Sequence, residues 1–219
     1  MLIPGAGGAA WYWSRVVPLL QGAGHDAVAV DLPGDDEIAG LPEYAGLVLE
    51  AIGGRHDVVL VAQSLGGFTA PLVCERATVR ELVLVNAMIP VPGETPGAWW
   101  ENTDWAAAQQ SAAKAKGYST EFDTETYFLH DVPSELAAEG EPQQRPEANA
   151  VFESVCNFTD WPRIPTRVLT GGADRFFPLE FQRRVARERI GVEPDVVPGG
   201  HLLALANSEG VADYLLHRR

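Results

Sequence analysis

The stretch DVVLVAQSLGGFTAPLV, from Asp57 to Val73, limits the possible fold more than any other part of the chain. Its first half is an unbroken apolar run rich in β-branched residues, with no alternation of polar and apolar positions. A strand written this way is covered on both faces, as strands of parallel sheets are. Its second half reads as a helix, and a serine and two glycines stand at the junction. Similar short runs occur at Met1–Pro4, Ala27–Asp31, Glu81–Asn86, Thr166–Gly171 and Pro194–Pro198. Helical patterns separate most of them: Tyr44, Leu47, Val48, Ala51 and Ile52 share one face, and Phe181, Val185 and Ile190 share another. Strand followed by helix, repeated, predicts an α/β fold with a doubly wound, six-stranded parallel sheet and helices on both faces.

One region breaks the rhythm. From Ile89 to about Pro162 no strand is legible. Proline and glycine clusters, an alanine-rich segment and the aromatics Trp99, Trp100, Trp105, Tyr118, Phe122, Tyr127 and Phe128 take its place. So long a connection is improbable in a compact domain unless it folds by itself, and it is too aromatic for disorder. The expected organisation is a core of residues 1–89 and 163–219, with a small helical cap, 90–162, inserted after the fourth strand.

A length of 219 residues suits one domain. The formal charge of −14 disfavours nucleic acid and anionic membrane surfaces, both polyanions that recruit lysine and arginine. Cys74 and Cys156 lie far apart with no paired-ligand spacing, so neither zinc nor a disulfide framework is expected. The start, MLIPGAGGAAWYW, has no basic segment and too short an apolar run for a signal or membrane helix. The expectation is a cytoplasmic protein, monomer or homodimer, that uses neither metal nor cofactor.

Residues Ala62–Gly66 read AQSLG, close to the G-x-S-x-G nucleophile elbow and set between a strand and a helix as that motif requires. The turn is so tight that its flanking positions must be small. A serine hydroxyl needs a base to take its proton and a carboxylate to orient the base. Of five histidines, His25 and His56 precede strands, at the wrong end of the sheet, and His217 lies in the C-terminal tail. His201 follows the last strand in a glycine-rich loop at the carboxyl edge, and is the candidate base. Asp174, just past the fifth strand, is the candidate acid, with Asp160 as second choice and Asp31 read as a turn-former. The oxyanion hole requires two backbone N–H groups; Leu65 follows the nucleophile, and Ala6, beside Gly7, lies in the glycine-rich loop after the first strand. Trp100, Tyr127 and His130 are candidate substrate contacts from the cap, with Asp131 beside His130 at its mouth.

Taken together, MLIPGAGGAAWYWSRV, VDLPG, VLVAQSLGGF, IPTRVLTGGADRFFP and PGGHLLALANSEGVADYL resemble the α/β-hydrolase superfamily. More narrowly, they are similar to small bacterial serine esterases related to plant methyl-ester esterases and hydroxynitrile lyases. The resemblance implies the strand order 2-1-3-4-5-6 and the chain order Ser64, Asp174, His201. Hydroxynitrile lyases of this kind carry a threonine in the oxyanion loop and a lysine directly after the histidine; here Gly5 and Leu202 stand there. The expected activity is therefore hydrolysis of small to medium hydrophobic carboxylic esters through an acyl-enzyme. A lyase, a ligand-binding protein that keeps the three residues, and a cofactor-free haloperoxidase side activity are the alternatives.

Overall fold

The computed structural model describes residues 1–217. Five strands, β1 (Leu2–Ile3), β2 (Val58–Gln63), β3 (Val79–Val85), β4 (Thr166–Gly171) and β5 (Asp195–Val197), form one parallel sheet in the order β1-β2-β3-β4-β5. Six strands were expected. The segment read as the second, Ala27–Asp31, is reduced to a single parallel bridge between Ala29 and Leu2, on the side of β1 away from β2. The reason is the length of its partner. With two residues, β1 pairs with this segment only through Leu2, whose N–H donates to Val28 O and whose carbonyl accepts from Val30 N–H.

Alternate residues of the strands enter opposite layers, which is why the runs show no polar face. Val61, Val83, Val85 and Leu169 pack with Trp13 and Val16 on one side of the sheet. Leu60, Ala62, Leu82, Leu84 and Val168 pack with Tyr44, Phe68 and Phe181 on the other. The first layer holds α1 (Val16–Gly22), α9 (Leu203–Ala206) and α10 (Ser208–Leu216); the second holds α2 (Leu41–Ile52), α3 (Gly66–Cys74) and α8 (Leu179–Ile190). Leu60, Leu82 and Leu84 are wholly buried, so truncating any one to alanine costs about 2–5 kcal/mol. The start of α2 is fixed locally: the Gly40 N–H donates to the Glu43 carboxylate three residues on, and Pro42 occupies the first turn.

Between β3 and β4 lie α4 (Pro96–Asn102), α5 (Trp105–Lys116), a π-helical turn at Glu125–Leu129, α6 (Ser134–Gly140) and α7 (Asn149–Glu153). Their root is tied to the core by a buried ion pair, Glu94 with Arg189 of α8, which Asn102 joins through Glu94 Oε1. Among the described residues no helix is long and apolar enough to cross a membrane.

Candidate active site

Ser64 sits at the carboxyl end of β2 with φ 48°, a left-handed conformation that costs a non-glycine residue roughly 1–3 kcal/mol. The surroundings over-determine it. Its N–H donates to Val85 O, and its carbonyl accepts from both Gly67 and Met88. The need for small neighbours has a direct cause at Gly66, where a Cβ would stand 2.6 Å from Pro4 O. Ala62, at the other flank, is completely buried.

The Ser64 Oγ lies 3.1 Å from His201 Nε2, and His201 Nδ1 lies 2.9 Å from Asp174 Oδ2. A carboxylate cannot donate, so Nδ1 carries the proton and Nε2 is left as the acceptor facing the serine. Asp174 is fully buried, and its charge is balanced by donors on every side. Oδ1 accepts the N–H groups of Phe176 and Phe177, both at 2.8 Å, and Oδ2 accepts Gln182 Nε2 at 3.2 Å besides the imidazole. Phe128, Phe176 and Phe177 surround the His201 ring at centroid distances of 5.2, 5.1 and 4.9 Å. They keep water away from the relay, and a low local dielectric strengthens each charge–dipole contact in it.

Facing Ser64 is the loop after β1. The Gly5 carbonyl accepts from Gly8 N–H, and in a trans peptide the Ala6 N–H must point the opposite way. Neither that N–H nor the one of Leu65 has an acceptor among the described residues. Both residues sit beside the serine, Leu65 as the N-cap of α3, whose aligned amides favour negative charge at this point. Gly5 fits only because it has no side chain: a Cβ would meet Gln63 Oε1 at 2.4 Å and Ser64 Cβ at 2.8 Å. Gly5→Ala is expected to lower kcat by about 10²-fold by displacing loop and serine, a loss that steady-state kinetics will register.

The insertion holds this loop from outside. Gly7 donates its N–H to Glu147 Oε2 and accepts from Arg145 Nε at 3.1 Å, while Arg145 clasps Asp31 with both terminal nitrogens at 2.9 and 3.0 Å. Burial raises the Glu147 carboxyl above its ordinary value, offset in part by the Tyr44 hydroxyl, the Gly7 N–H and the Arg145 charge. A carboxyl raised in the folded state favours folding below the ordinary glutamate range. That contribution is lost as pH rises through the folded value. Glu147→Gln stays neutral throughout, so its stability relative to the wild type should improve as pH rises from acid to neutral. Thermal unfolding across that range checks it.

A pocket of about 310 Å³ opens over Ser64, His201 and the Gly5–Gly7 loop. Trp11, Phe128, Leu129, Val132 and Leu136 make it apolar, and Thr124, Gln143, Gln144 and Arg145 bring polar groups to it. Trp11 leans on Gly140, where a Cβ would come within 2.6 Å of its ring.

The structure brings Ser64, Asp174 and His201 together and places the three cap candidates away from them. Trp100, Tyr127 and His130 do not line the pocket. Trp100 is packed among Trp99, Trp105, Phe176 and Phe177. Tyr127 is fully buried, with its hydroxyl on Ser119 O. His130 is turned toward Gly200, and burial lowers its pKa, opposed by the Asp131 charge. The π-helical turn presents their neighbours Phe128 and Leu129 instead. Asp160 accepts only the N–H of Trp161 and takes no part in the relay. Gln182 and Asn86 were missed; Asn86 is legible in hindsight as a polar residue closing the apolar run LVLV at the same sheet edge.

A 38% identical stretch, covering 94% of the chain and 88% of the relative, matches norfluorocurarine synthase 1 of a Strychnos species. Probable esterase PIR7A of Oryza sativa subsp. indica is 35% identical over 44% of the chain, and the match spans only 41% of that protein's own length. Polyneuridine aldehyde esterase superposes with a TM-score of 0.78 over 98% of this chain and 96% of its own, at 20% identity, a likeness of fold. The model of the alpha/beta hydrolase family matches residues 1–214, which takes in the elbow, the acid loop and the histidine loop together, and the chain belongs to that family.

Proposed function

We propose that this protein is a serine esterase that cleaves small to medium hydrophobic carboxylic esters. One observation carries the reading: a serine hydroxyl 3.1 Å from an imidazole nitrogen whose partner nitrogen rests 2.9 Å from a buried carboxylate, all beside an apolar pocket. Ser64 Oγ attacks the ester carbonyl as His201 Nε2 takes its proton, and Asp174 stabilises the imidazolium. The N–H groups of Ala6 and Leu65 hold the oxyanion. Collapse expels the alcohol, which receives the proton from His201. Water, activated by the same imidazole, then attacks the acyl-serine, and the acid leaves.

The family's alternative of cyanohydrin cleavage is less well supported, since Leu202, an apolar pocket residue, occupies the place of the lyases' lysine. Residues 90–162 serve in this reading as the cap that shapes the acyl and alcohol sites. Intact mass after exposure to a fluorophosphonate tests the nucleophile: a single adduct, mapped to the peptide bearing Ser64, is the expected result. An unmodified protein, or an adduct elsewhere, overturns the assignment. A series of chromogenic esters of increasing acyl length then reads the pocket, with apolar acyl groups favoured over charged ones.

A further inference from the structure

The loop that carries the base is rich in glycine, and nothing in its own sequence would hold it still. Asn207 Nδ2 donates to Pro198 O at 2.7 Å and the Ala173 N–H to Gly199 O at 2.9 Å, and two further side chains hold the Gly200–His201 end. From the core, Asn86 Nδ2 donates to Gly200 O at 2.9 Å and to His201 O at 3.1 Å. From the insertion, Asp131 Oδ2 accepts the Gly200 N–H. The contact is direct enough that a Cβ at Gly200 would fall 2.7 Å from Asp131 Oδ1 and 2.8 Å from His130 Cε1.

The same segment grips the acid loop. Arg175, which follows Asp174, donates Nη1 to Thr126 O at 3.2 Å. Phe128, between these contacts, packs on the His201 ring.

Asp131 has little else to do. Its Oδ1 is shut off from solvent with no hydrogen-bond partner among the described residues, and so are both ring nitrogens of His130, whose nearest approach is 3.9 Å. A carboxylate placed in such surroundings is costly unless its hydrogen bond is worth keeping. Its one hydrogen bond runs to the backbone of the residue before His201.

We propose that Asp131 is a positioning residue for His201, its carboxylate fixing the Gly200 peptide and thereby the height of the imidazole over Ser64. This rests on the hydrolase reading above. A charged acceptor holds an N–H roughly twice as strongly as a neutral one, so an asparagine oxygen can replace it in part.

The test measures the rate of Ser64 labelling by a fluorophosphonate, and kcat and KM on a chromogenic ester, for wild type, Asp131→Ala and Asp131→Asn. In the wild type it adds hydrogen exchange of the Gly200 amide and the far-downfield resonance of the His201 Nδ1 proton. Asp131→Ala should slow labelling and kcat by about 10- to 100-fold with KM changed less than about threefold, the size expected of a misplaced base. It should also broaden the imidazole resonance, and Asp131→Asn should recover most of the rate. A wild-type rate in Asp131→Ala overturns the proposal. So does an Asp131→Asn variant as slow as the alanine with the resonance unmoved. Exchange of the Gly200 amide needs no variant, and a freely exchanging amide overturns the proposal even if Asp131→Ala does not fold. Wild type that takes no label at Ser64 sinks the hydrolase reading, and this inference with it.

Discussion

Alanine in place of Ser64 is expected to lower kcat on a chromogenic ester by about five to six orders of magnitude, leaving the residue that oxyanion stabilisation and binding alone supply. Nothing else in the pocket can replace it. The variant should also take no fluorophosphonate label, which separates loss of the nucleophile from loss of the fold. Stability should move differently. At φ 48° alanine is as strained as serine, so Ser64→Ala leaves Tm nearly unchanged, whereas Ser64→Gly relieves the left-handed backbone and stabilises by about 1 kcal/mol. Two inactive proteins, of which the glycine variant melts higher, would show that the hydroxyl is held at an energetic cost to the fold. A glycine variant less stable than wild type would contradict that account.

Asp174→Asn is expected to reduce kcat by about 10⁴-fold, with the decisive change at the imidazole tautomer. Every contact of the Asp174 carboxylate is with a donor: Phe176, Phe177, Gln182 and His201. An amide offers one acceptor oxygen in place of two. If that oxygen serves the two backbone N–H groups, the new NH₂ faces His201 Nδ1 and forces the ring to accept there. The proton then moves to Nε2, pointing at the serine, and no base remains. Proton NMR of the His201 ring should show the Nδ1 resonance gone. An unchanged resonance with full activity would mean that Asp174 neither orients nor charges the base.

The sequence is most legible where geometry leaves one residue type possible. A serine at φ 48° between a two-sided strand and a helix needs small flanks, and Ala62 and Gly66 announce it. Asp174 and His201 follow because loops after parallel strands share one edge. The second strand misled, since Ala27–Asp31 has a strand's composition but only Leu2 to pair with. Within the insertion, residue type indicated an aromatic wall but not its facing. The π-helical turn at Glu125–Leu129 takes more residues per turn than an α-turn, which breaks the α-helical spacing; Phe128 and Leu129 meet the pocket and Tyr127 is buried. Nor can composition reveal that Asp131 or Glu147 ends on a backbone N–H far away in the chain.

The seat of Trp11 on Gly140 carries a consequence for selectivity. The indole rests on bare main chain, so a single methyl added there would displace the ring and change the shape of the pocket. Tolerance for bulky esters can thus be retuned by evolution, or by an engineer, from one glycine in the pocket wall.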